Sequence, residues 1–249
     1  MKTITAVFVF TLVIMGCKKD KNATDPTNKD AFHSRGVGAS ANELLSASKF
    51  KSLKIEIDYM PGFEPDAAAV NNLQSFLQAY LNKPAGISTS TSQVSASANT
   101  TLNIEQVSDL EDQHRNMFAS GEELTVYLLY TNGSYKESGV LGVAYKNTST
   151  AVFGKTIRDN SGGIGQASRT KLETTVLEHE VSHLLGLVNV GTSMATPHQD
   201  GAHGNHCNNS GCLMYYAAET TDITGFLLTG NIPTLDANCV NDLKGNGGK

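Results

Sequence analysis

The sequence is short of basic residues, of cysteine and of long apolar runs. Lysine and arginine number 19 against 24 aspartate and glutamate residues, which gives a net charge of −5 at neutral pH. A chain without a basic excess lacks the electrostatic signature of a protein that binds nucleic acid or an anionic membrane surface. The one long apolar run, Ala6 to Met15, has about ten residues, too few to cross a bilayer. We therefore expect neither a nucleic-acid partner nor a membrane-spanning segment.

This apolar run follows Met1 and Lys2, as the core of a secretory signal peptide does. It ends in Ile14-Met15-Gly16-Cys17, and an aliphatic and then a small residue directly before cysteine resemble the lipobox of bacterial lipoproteins. The resemblance implies removal of residues 1–16 and lipidation of Cys17, hence a lipid-anchored protein of the cell envelope. An ordinary secretory signal with an incidental cysteine is the alternative, and both predict a location outside the cytoplasm.

The rest of the chain predicts a tether and one domain. Residues 17–35 are rich in Lys, Asn, Asp and Thr and predict a flexible tether. Residues 36–249 suffice for one sizeable domain and are few for two. Apolar periodicity and turn residues predict an α+β order. The expected elements are strands at 53–59, 101–107, 124–130, 140–145 and 150–157, helices at 65–81, 109–118, 170–185 and 233–243, and a Ser/Thr-rich surface loop at 88–100.

The helix predicted from residue 170 contains His179-Glu-Val-Ser-His183, an H-E-x-x-H motif. Residues i and i+4 lie one turn apart on one helix face, so both imidazoles can reach one ion, and zinc suits such ligands. Glu180, next to the first histidine, is placed to take a proton from water. Thr170-Lys-Leu-Glu173 fits a capping box and Gly186 a C-terminal stop. The spacing predicts one catalytic Zn²⁺ on His179 and His183, with Glu180 as general base.

The residues that follow resemble the metzincins, zinc endopeptidases with the pattern H-E-x-x-H-x-x-G-x-x-H/D and a methionine-containing turn. Gly186 fits the family glycine, but Asn189 stands in the place of the third ligand, and an amide binds zinc poorly. Farther on, His206-Cys-x4-Cys-x-Met214 resembles the archaemetzincin subgroup. That resemblance implies His206 as the third ligand, Met214 as the methionine of the turn and an inserted loop at roughly 190–205. The alternatives for the third ligand are His203, His198 and, more weakly, Asp200.

A tyrosine beyond the methionine is a further implication of the resemblance. In astacin- and serralysin-like members, a tyrosine two residues after the methionine lies near the zinc and stabilises the tetrahedral intermediate. Tyr216 has this position in the present sequence, and the adjacent Tyr215 is an equal candidate. We therefore expect a catalytic role for Tyr216, with Tyr215 left open.

The cysteines depart from the archaemetzincin pattern, which includes a second, structural zinc on four cysteines. Besides Cys17, this chain has only Cys207, Cys212 and Cys239, and Asp236 stands three residues before the last of them. In an oxidising compartment, one disulfide and one remaining thiol are the ordinary outcome for three cysteines. We accordingly expect a disulfide rather than a second zinc.

The resemblance also implies a fold and an activity. The fold would be metzincin-like α+β, with a twisted mixed sheet, an active-site helix and an irregular C-terminal part that contains the methionine turn. Substrate would pair with an antiparallel edge strand, for which residues 150–157 are the best candidate. We expect a monomeric zinc endopeptidase that acts on proteins or peptides. A catalytically decayed binding module on the same fold is the alternative; Asn189 favours it, and the intact Glu180 argues against it.

The lipobox leads to a test at a single residue. Cys17→Ser removes the thiol that would carry the lipid, so we expect the variant to incorporate no fatty-acid probe in a bacterial host, whereas the parent is labelled. Lys18→Ser, one residue along, is the matched control and should be labelled like the parent. Equal labelling of the Cys17→Ser variant would show that this cysteine is not lipidated.

Overall fold

The structure, a computed structural model, describes residues 29–249. The predicted signal peptide 1–16, Cys17 and the first part of the predicted tether lie outside the described residues. In the described part, His33 is buried within the helix Lys29–His33 (α1), and its Nδ1 lies 2.7 Å from Thr148 Oγ1. Packed structure thus begins before residue 36, and the predicted tether 17–35 extends too far at its C-terminal end.

A mixed five-stranded sheet forms the centre of the fold. Its strands are Ser52–Tyr59 (β1), Ile87–Gln93 (β2), Glu123–Thr131 (β4), Gly142–Lys146 (β6) and Ser149–Phe153 (β7). The spatial order is β2-β1-β4-β7-β6, and only β6 runs antiparallel to its neighbour. Thr101–Leu102 (β3) and Ser134–Tyr135 (β5) pair separately. The antiparallel strand β6 is therefore one edge of the sheet.

Side chains of β4 alternate between two apolar layers, as strand geometry requires. Leu128 and Tyr130 face the larger layer, where the helices Ala67–Tyr80 (α3) and Arg169–Leu184 (α6) pack. Tyr127 and Leu129 face the smaller layer, which receives the helix Ile104–His114 (α4). The sheet thus lies between α6 on one side and α4 on the other, and this arrangement buries every residue of α6 from Leu172 to Leu184.

Two predicted elements near residue 100 are wrong. The Ser/Thr-rich segment 88–100 is not all loop, because residues 87–93 form β2 and pair with β1 through main-chain hydrogen bonds that hydroxyl side chains do not prevent. The predicted strand 101–107 is two residues long, and the next helix begins at Ile104 rather than at 109. Asn103 accepts from the Gln106 main-chain N–H while the Gln106 side chain accepts from Asn103 N–H, and this capping box fixes the earlier start.

The long helix α6 also begins differently from the prediction. Ser168 is its N-cap and accepts from Lys171 N–H at 3.3 Å, so the capping box predicted at Thr170 and Glu173 is not formed. Glu173 instead accepts from the main-chain N–H of Asp66, the residue that caps α3. The two N-terminal ends are therefore joined by a side chain, which aligns α6 with α3 beneath the sheet.

Beyond α6 the chain has no helix or strand until a 3-10 turn at Tyr216–Glu219. The short helix Ile223–Thr229 (α7) and the helix Ala237–Gly245 (α8) follow, the latter in place of the helix predicted at 233–243. An α+β fold with a mixed sheet, a central helix and an irregular C-terminal part is therefore confirmed. Among the residues described, no helix combines the length and the apolar character that a bilayer crossing needs.

Candidate metal centre

His179 and His183 lie one turn apart near the C-terminal end of α6, and both are buried. Their Nε2 atoms approach to 3.1 Å. The helix ends at Leu184, and Gly186, two residues beyond, has a φ of 84°, a left-handed conformation that glycine adopts without strain. A Cβ at this position would lie 2.5 Å from Thr192 N. Only glycine therefore lets the chain leave the helix directly behind the two histidines.

His206 is the third histidine that the structure brings to this place. Its ring centroid lies 5.3 Å from that of His179 and 5.2 Å from that of His183. Asn189 is exposed instead, has a φ of 65° and donates to Gln199 Oε1 at 3.3 Å. The third imidazole thus comes from the far end of the loop 190–205, as the resemblance to archaemetzincins implies.

Each of the three histidines is anchored through its Nδ1 atom. His179 donates to the Leu213 carbonyl at 2.8 Å, His183 to the Leu187 carbonyl at 3.0 Å, and His206 to the His203 carbonyl at 2.6 Å. A histidine whose Nδ1 holds a proton for a carbonyl presents an unprotonated Nε2 when it is neutral. These main-chain contacts therefore turn three lone pairs toward a common point, which is the usual arrangement around a bound metal.

Met214 is fully buried beside these anchors. Its carbonyl accepts from the Cys207 N–H at 2.7 Å, and the residue before it supplies the carbonyl that holds His179. The turn that contains Met214 thus connects the end of the loop with the first histidine, and the role of Met214 as the methionine of the metzincin turn stays a prediction.

Unsatisfied polar atoms at this place fit a metal ion. The buried His206 Nε2 has no hydrogen-bond partner in the described chain. A hydrogen bond between the Nε2 atoms of His179 and His183 would need a charged imidazolium, because both Nδ1 atoms already donate. Buried polar groups without partners are costly, and three imidazole nitrogens are a donor set that suits zinc. The residues therefore fit the ion that the sequence predicts.

Glu180 lies between α6 and the edge strand β6. Neither of its buried carboxylate oxygens makes a hydrogen bond of ordinary geometry within the described residues. Gly142 of β6 makes room for the side chain, since a Cβ there would lie 2.8 Å from Glu180 Cγ and 2.7 Å from a methyl carbon of Val176. The carboxylate borders a cavity of about 340 Å³ that His183, His206 and Val143 also line. No sequence pattern indicates that Gly142 leaves room for the Glu180 side chain.

Glu219 is a member of the site that sequence reasoning missed. The carboxylate reaches the cluster from the 3-10 turn, with Oε2 3.5 Å from His206 Nε2 and 3.8 Å from His179 Nε2. One ligand atom from each of His179, His183, His206 and Glu219 lies within 4.8 Å of the others. No spacing rule connects Glu219 with the H-E-x-x-H motif, so only the tertiary structure reveals it.

The carboxylates and imidazoles shift one another's pKa values. Burial raises the pKa of Glu180 well above its usual range, and the charge of Glu219 adds to this. Burial, and next the neighbouring His179, lower the pKa of His183 to about 3. Burial would also lower the pKa of His206, but the Glu219 carboxylate more than offsets this and raises it. Burial opposes ionisation of Glu219, yet the nearby imidazoles of His179 and His206 lower its pKa. Without a metal, the negative charge therefore lies on Glu219 rather than on Glu180.

The other predicted or alternative residues lie elsewhere. The Tyr216 ring stacks on the His203 ring at 3.8 Å, and Tyr216 does not line the cavity. His203 is hydrogen-bonded to Asp200 Oδ2 at 2.6 Å and is largely exposed. Neither His203 nor Asp200 belongs to the group of possible ligands around the three histidines, although His203 lines the same cavity. The catalytic role of Tyr216 stays a prediction.

His198, the remaining alternative, belongs to a second cluster of possible ligands. His198 Nδ1 lies 3.4 Å from Cys207 Sγ and 4.0 Å from Cys239 Sγ, while its Nε2 lies 2.7 Å from Asp242 Oδ2. Cys212 Sγ lies 3.6 Å from Cys239 Sγ, and Asp236 lies beside them. All three cysteines are buried and free. The structure thus has three neighbouring thiols in place of the expected disulfide and one separate thiol.

The edge strand predicted to receive substrate is corrected by the sheet order. Residues 149–153 form β7, whose two neighbours β4 and β6 occupy both of its edges. The strand with a free edge next to the cavity is β6, which contributes Val143 and Ala144 to the lining. The strand β6, which pairs with β7, thus has the free edge that was predicted for residues 150–157.

Comparison with known proteins gives only distant likenesses. No protein-family model matches the chain, and a search of curated proteins finds no match. Among solved structures, the chain is similar to an archaemetzincin from Methanopyrus kandleri, with 15% identity over 79% of this chain and 96% of that one and a TM-score of 0.48. It is also similar to metalloproteinase-II from Bacteroides fragilis, with 12% identity over 83% of this chain and 60% of that one and a TM-score of 0.45. Both structures are too distant from this chain to support a function.

The third ligand can be tested by comparing two substitutions. We expect His206→Ala to weaken zinc binding by more than about 100-fold, because loss of a direct ligand should exceed the effect of losing a residue that only orients one. Asn189→Ala, the matched control, should leave the affinity unchanged because Asn189 points away. Competition with a zinc-binding dye measures both, and the reverse ranking would restore residue 189 as the ligand.

Proposed function

We propose that the protein is a zinc-dependent endopeptidase of the metzincin type, anchored in the cell envelope through a lipid on Cys17. The convergence of the Nε2 atoms of His179, His183 and His206 beside the unpaired Glu180 carboxylate is the observation that supports the activity most. The resemblance of residues 179–214 to the family pattern agrees with it. The envelope location depends on the lipobox sequence alone.

The three histidines would hold the ion, and Glu180 would move the proton. Zinc bound there would polarise a peptide carbonyl as a Lewis acid. It would also lower the pKa of a bound water, so that a hydroxide nucleophile is available at neutral pH. Glu180, one residue from the first ligand, takes the proton of the attacking water and passes it to the leaving amine. Neither oxygen of its carboxylate has a hydrogen bond of ordinary geometry among the described residues, which leaves both able to accept from that water.

A peptide in extended conformation is the substrate that the edge strand favours. The free edge of β6 presents main-chain N–H and C=O groups next to the cavity, so an extended chain can add to the sheet and pass Glu180. Main-chain pairing recognises any extended segment, which suits an endopeptidase acting on protein or peptide chains. Neither nucleic acid nor a second copy of the chain is needed for this site.

A decayed binding module is the competing proposal, and the position of Glu180 argues against it. Ligand binding alone does not require a carboxylate buried next to the metal ligands, where burial disfavours its charge. A binding module would likewise not require a glycine at position 142, where the absence of a side chain leaves room for Glu180. Retention of both features is what catalysis requires.

Glu180→Gln tests the activity directly. The amide keeps the shape but takes no proton, so we expect zinc content and thermal unfolding like the parent and hydrolysis of an unfolded protein slower by roughly 100- to 10,000-fold. Glu178→Gln, a buried glutamate two residues earlier on α6, is the matched control and should retain activity. Undiminished cleavage by the Glu180 variant would refute its role, and an inactive parent with bound zinc would favour the binding module.

The second cluster leads us to add a structural zinc to the one catalytic ion predicted from sequence. Tetrahedral zinc with Zn–S bonds of about 2.3 Å separates two sulfurs by about 3.8 Å, near the 3.6 Å between Cys212 and Cys239. Asp242 holds the outer nitrogen of His198, as carboxylates commonly do behind a zinc-bound histidine. The ligand atoms that lie within 4.8 Å of one another belong to His198, Cys207, Asp236 and Cys239, and Cys212 adds a thiol beside Cys239. Asp236 caps α8 with one carboxylate oxygen, and its other oxygen lies 3.4 Å from Cys207 Sγ. His198 thus takes the place of the fourth cysteine of archaemetzincins.

Metal counting and thiol mapping test this second centre. We expect two zinc ions in each full-length chain and one in His198→Ala, which should keep its histidine-centre metal. Alkylation after unfolding without reductant should label Cys207, Cys212 and Cys239 in the zinc-loaded protein. His203→Ala, which changes an exposed histidine of the same loop, is the control and should retain both ions. A peptide pair linked through Cys212 and Cys239 would show the disulfide instead.

A further inference from the structure

The Glu219 carboxylate approaches the three histidines from a separate element. Its main chain is fixed by the Leu141 N–H, which donates to the Glu219 carbonyl at 2.8 Å, and by a bridge between Thr220 and Val140. Glu219 is therefore connected to the segment that enters β6, across the cleft from α6. Its side chain is 31% exposed, whereas that of His179 is fully buried, and Glu219 is the most exposed of the four groups.

The face of the imidazoles that Glu219 contacts distinguishes it from a supporting residue. A carboxylate that orients a metal-bound histidine accepts a hydrogen bond from the ring nitrogen turned away from the metal. Asp242 does this to His198 in the second cluster. Glu219 instead faces the Nε2 atoms of His179 and His206, whose Nδ1 protons are already donated to carbonyls. Among the described residues, its carboxylate contacts no lysine or arginine.

Distances between these atoms match the edges of a tetrahedron. Zinc–nitrogen bonds of about 2.0–2.1 Å place tetrahedral ligand atoms about 3.3 Å apart. The two histidines of α6 are separated by 3.1 Å, and Glu219 Oε2 lies 3.5 and 3.8 Å from His206 and His179. Three imidazoles with one carboxylate are a complete ligand set for zinc.

We infer that Glu219 is a fourth protein ligand of the zinc held by His179, His183 and His206, so that the centre rests closed and opens when Glu219 withdraws. This inference depends on the proposed metal centre and goes beyond it, because a catalytic zinc site ordinarily keeps one position free of protein ligands. Withdrawal of this partly exposed side chain on a 3-10 turn would restore that position without moving α6. An extended segment that pairs with β6 would lie beside Leu141. The N–H of Leu141 donates to the Glu219 carbonyl, so substrate would bind next to the contact that fixes the main chain of Glu219.

Cobalt-substituted full-length protein reports the ligand directly, because visible d–d bands arise from the histidine centre and thiolate charge-transfer bands from the cysteine cluster. Glu219→Ala should shift the d–d bands and lower zinc affinity at this centre by at least about 10-fold, with Glu219→Gln between it and the parent. Added acetate should return the d–d bands of Glu219→Ala toward those of the parent and leave the parent unchanged, since a free carboxylate can fill the vacated position. Asp222→Asn, which changes an exposed carboxylate three residues along, is the control and should behave like the parent.

The outcomes separate this inference from the proposed function. Cobalt bands and zinc affinity like those of the parent in both Glu219 variants would overturn the inference. A weakened affinity that acetate does not restore would also overturn it, because a carboxylate that acts only through its charge, without binding the metal, gives that result. His206→Ala decides the underlying centre in the same assay. Loss of metal in His206→Ala with no change in the Glu219 variants leaves the metal centre standing with three ligands, whereas no loss in any of them removes the metal centre as well.

Discussion

Three main-chain carbonyls decide what this site can do. By holding the Nδ1 protons of His179, His183 and His206, they leave three lone pairs directed at one another inside the protein. Such an arrangement is unfavourable until a cation occupies the common point, so the cost of orienting the histidines is recovered only on metal binding. The carbonyls come from the end of α6, from the loop and from the methionine turn. The C-terminal part must therefore fold back over α6 before the centre exists.

The second cluster explains how an irregular segment achieves this. His198 and Cys207 enclose the loop whose last residue is His206, and both belong to the cluster that also holds Cys239 of α8. Within the enclosed segment, Asp200 N–H donates to the His206 carbonyl at 2.7 Å. An ion bound by this cluster, as proposed, would close the loop near its ends and reduce its conformational freedom, which would compensate for the absence of regular structure there. His206 has its own hydrogen bonds to Asp200 and His203 and lies directly beside this cluster.

The sequence predicts this site only as far as local geometry reaches. The relation of His179, Glu180 and His183 follows from helix periodicity, and the place of His206 required a resemblance because its distance from the helix depends on an inserted loop. Glu219 was not predictable, since its approach is determined by the bridge to Val140 rather than by any spacing. The fold shows the same limit. The alternating strand β4 was found, whereas the serine- and threonine-rich β2 was missed because its pairing with β1 does not depend on side-chain pattern.

The two carboxylates would link metal binding with the proposed proton transfer. Burial and the charge of Glu219 raise the pKa of Glu180, and both therefore disfavour the ionised form that a general base needs. In the proposed centre, a divalent ion held by the three histidines would favour the ionised form of both carboxylates. Metal binding and the availability of Glu180 as a base would then depend on each other.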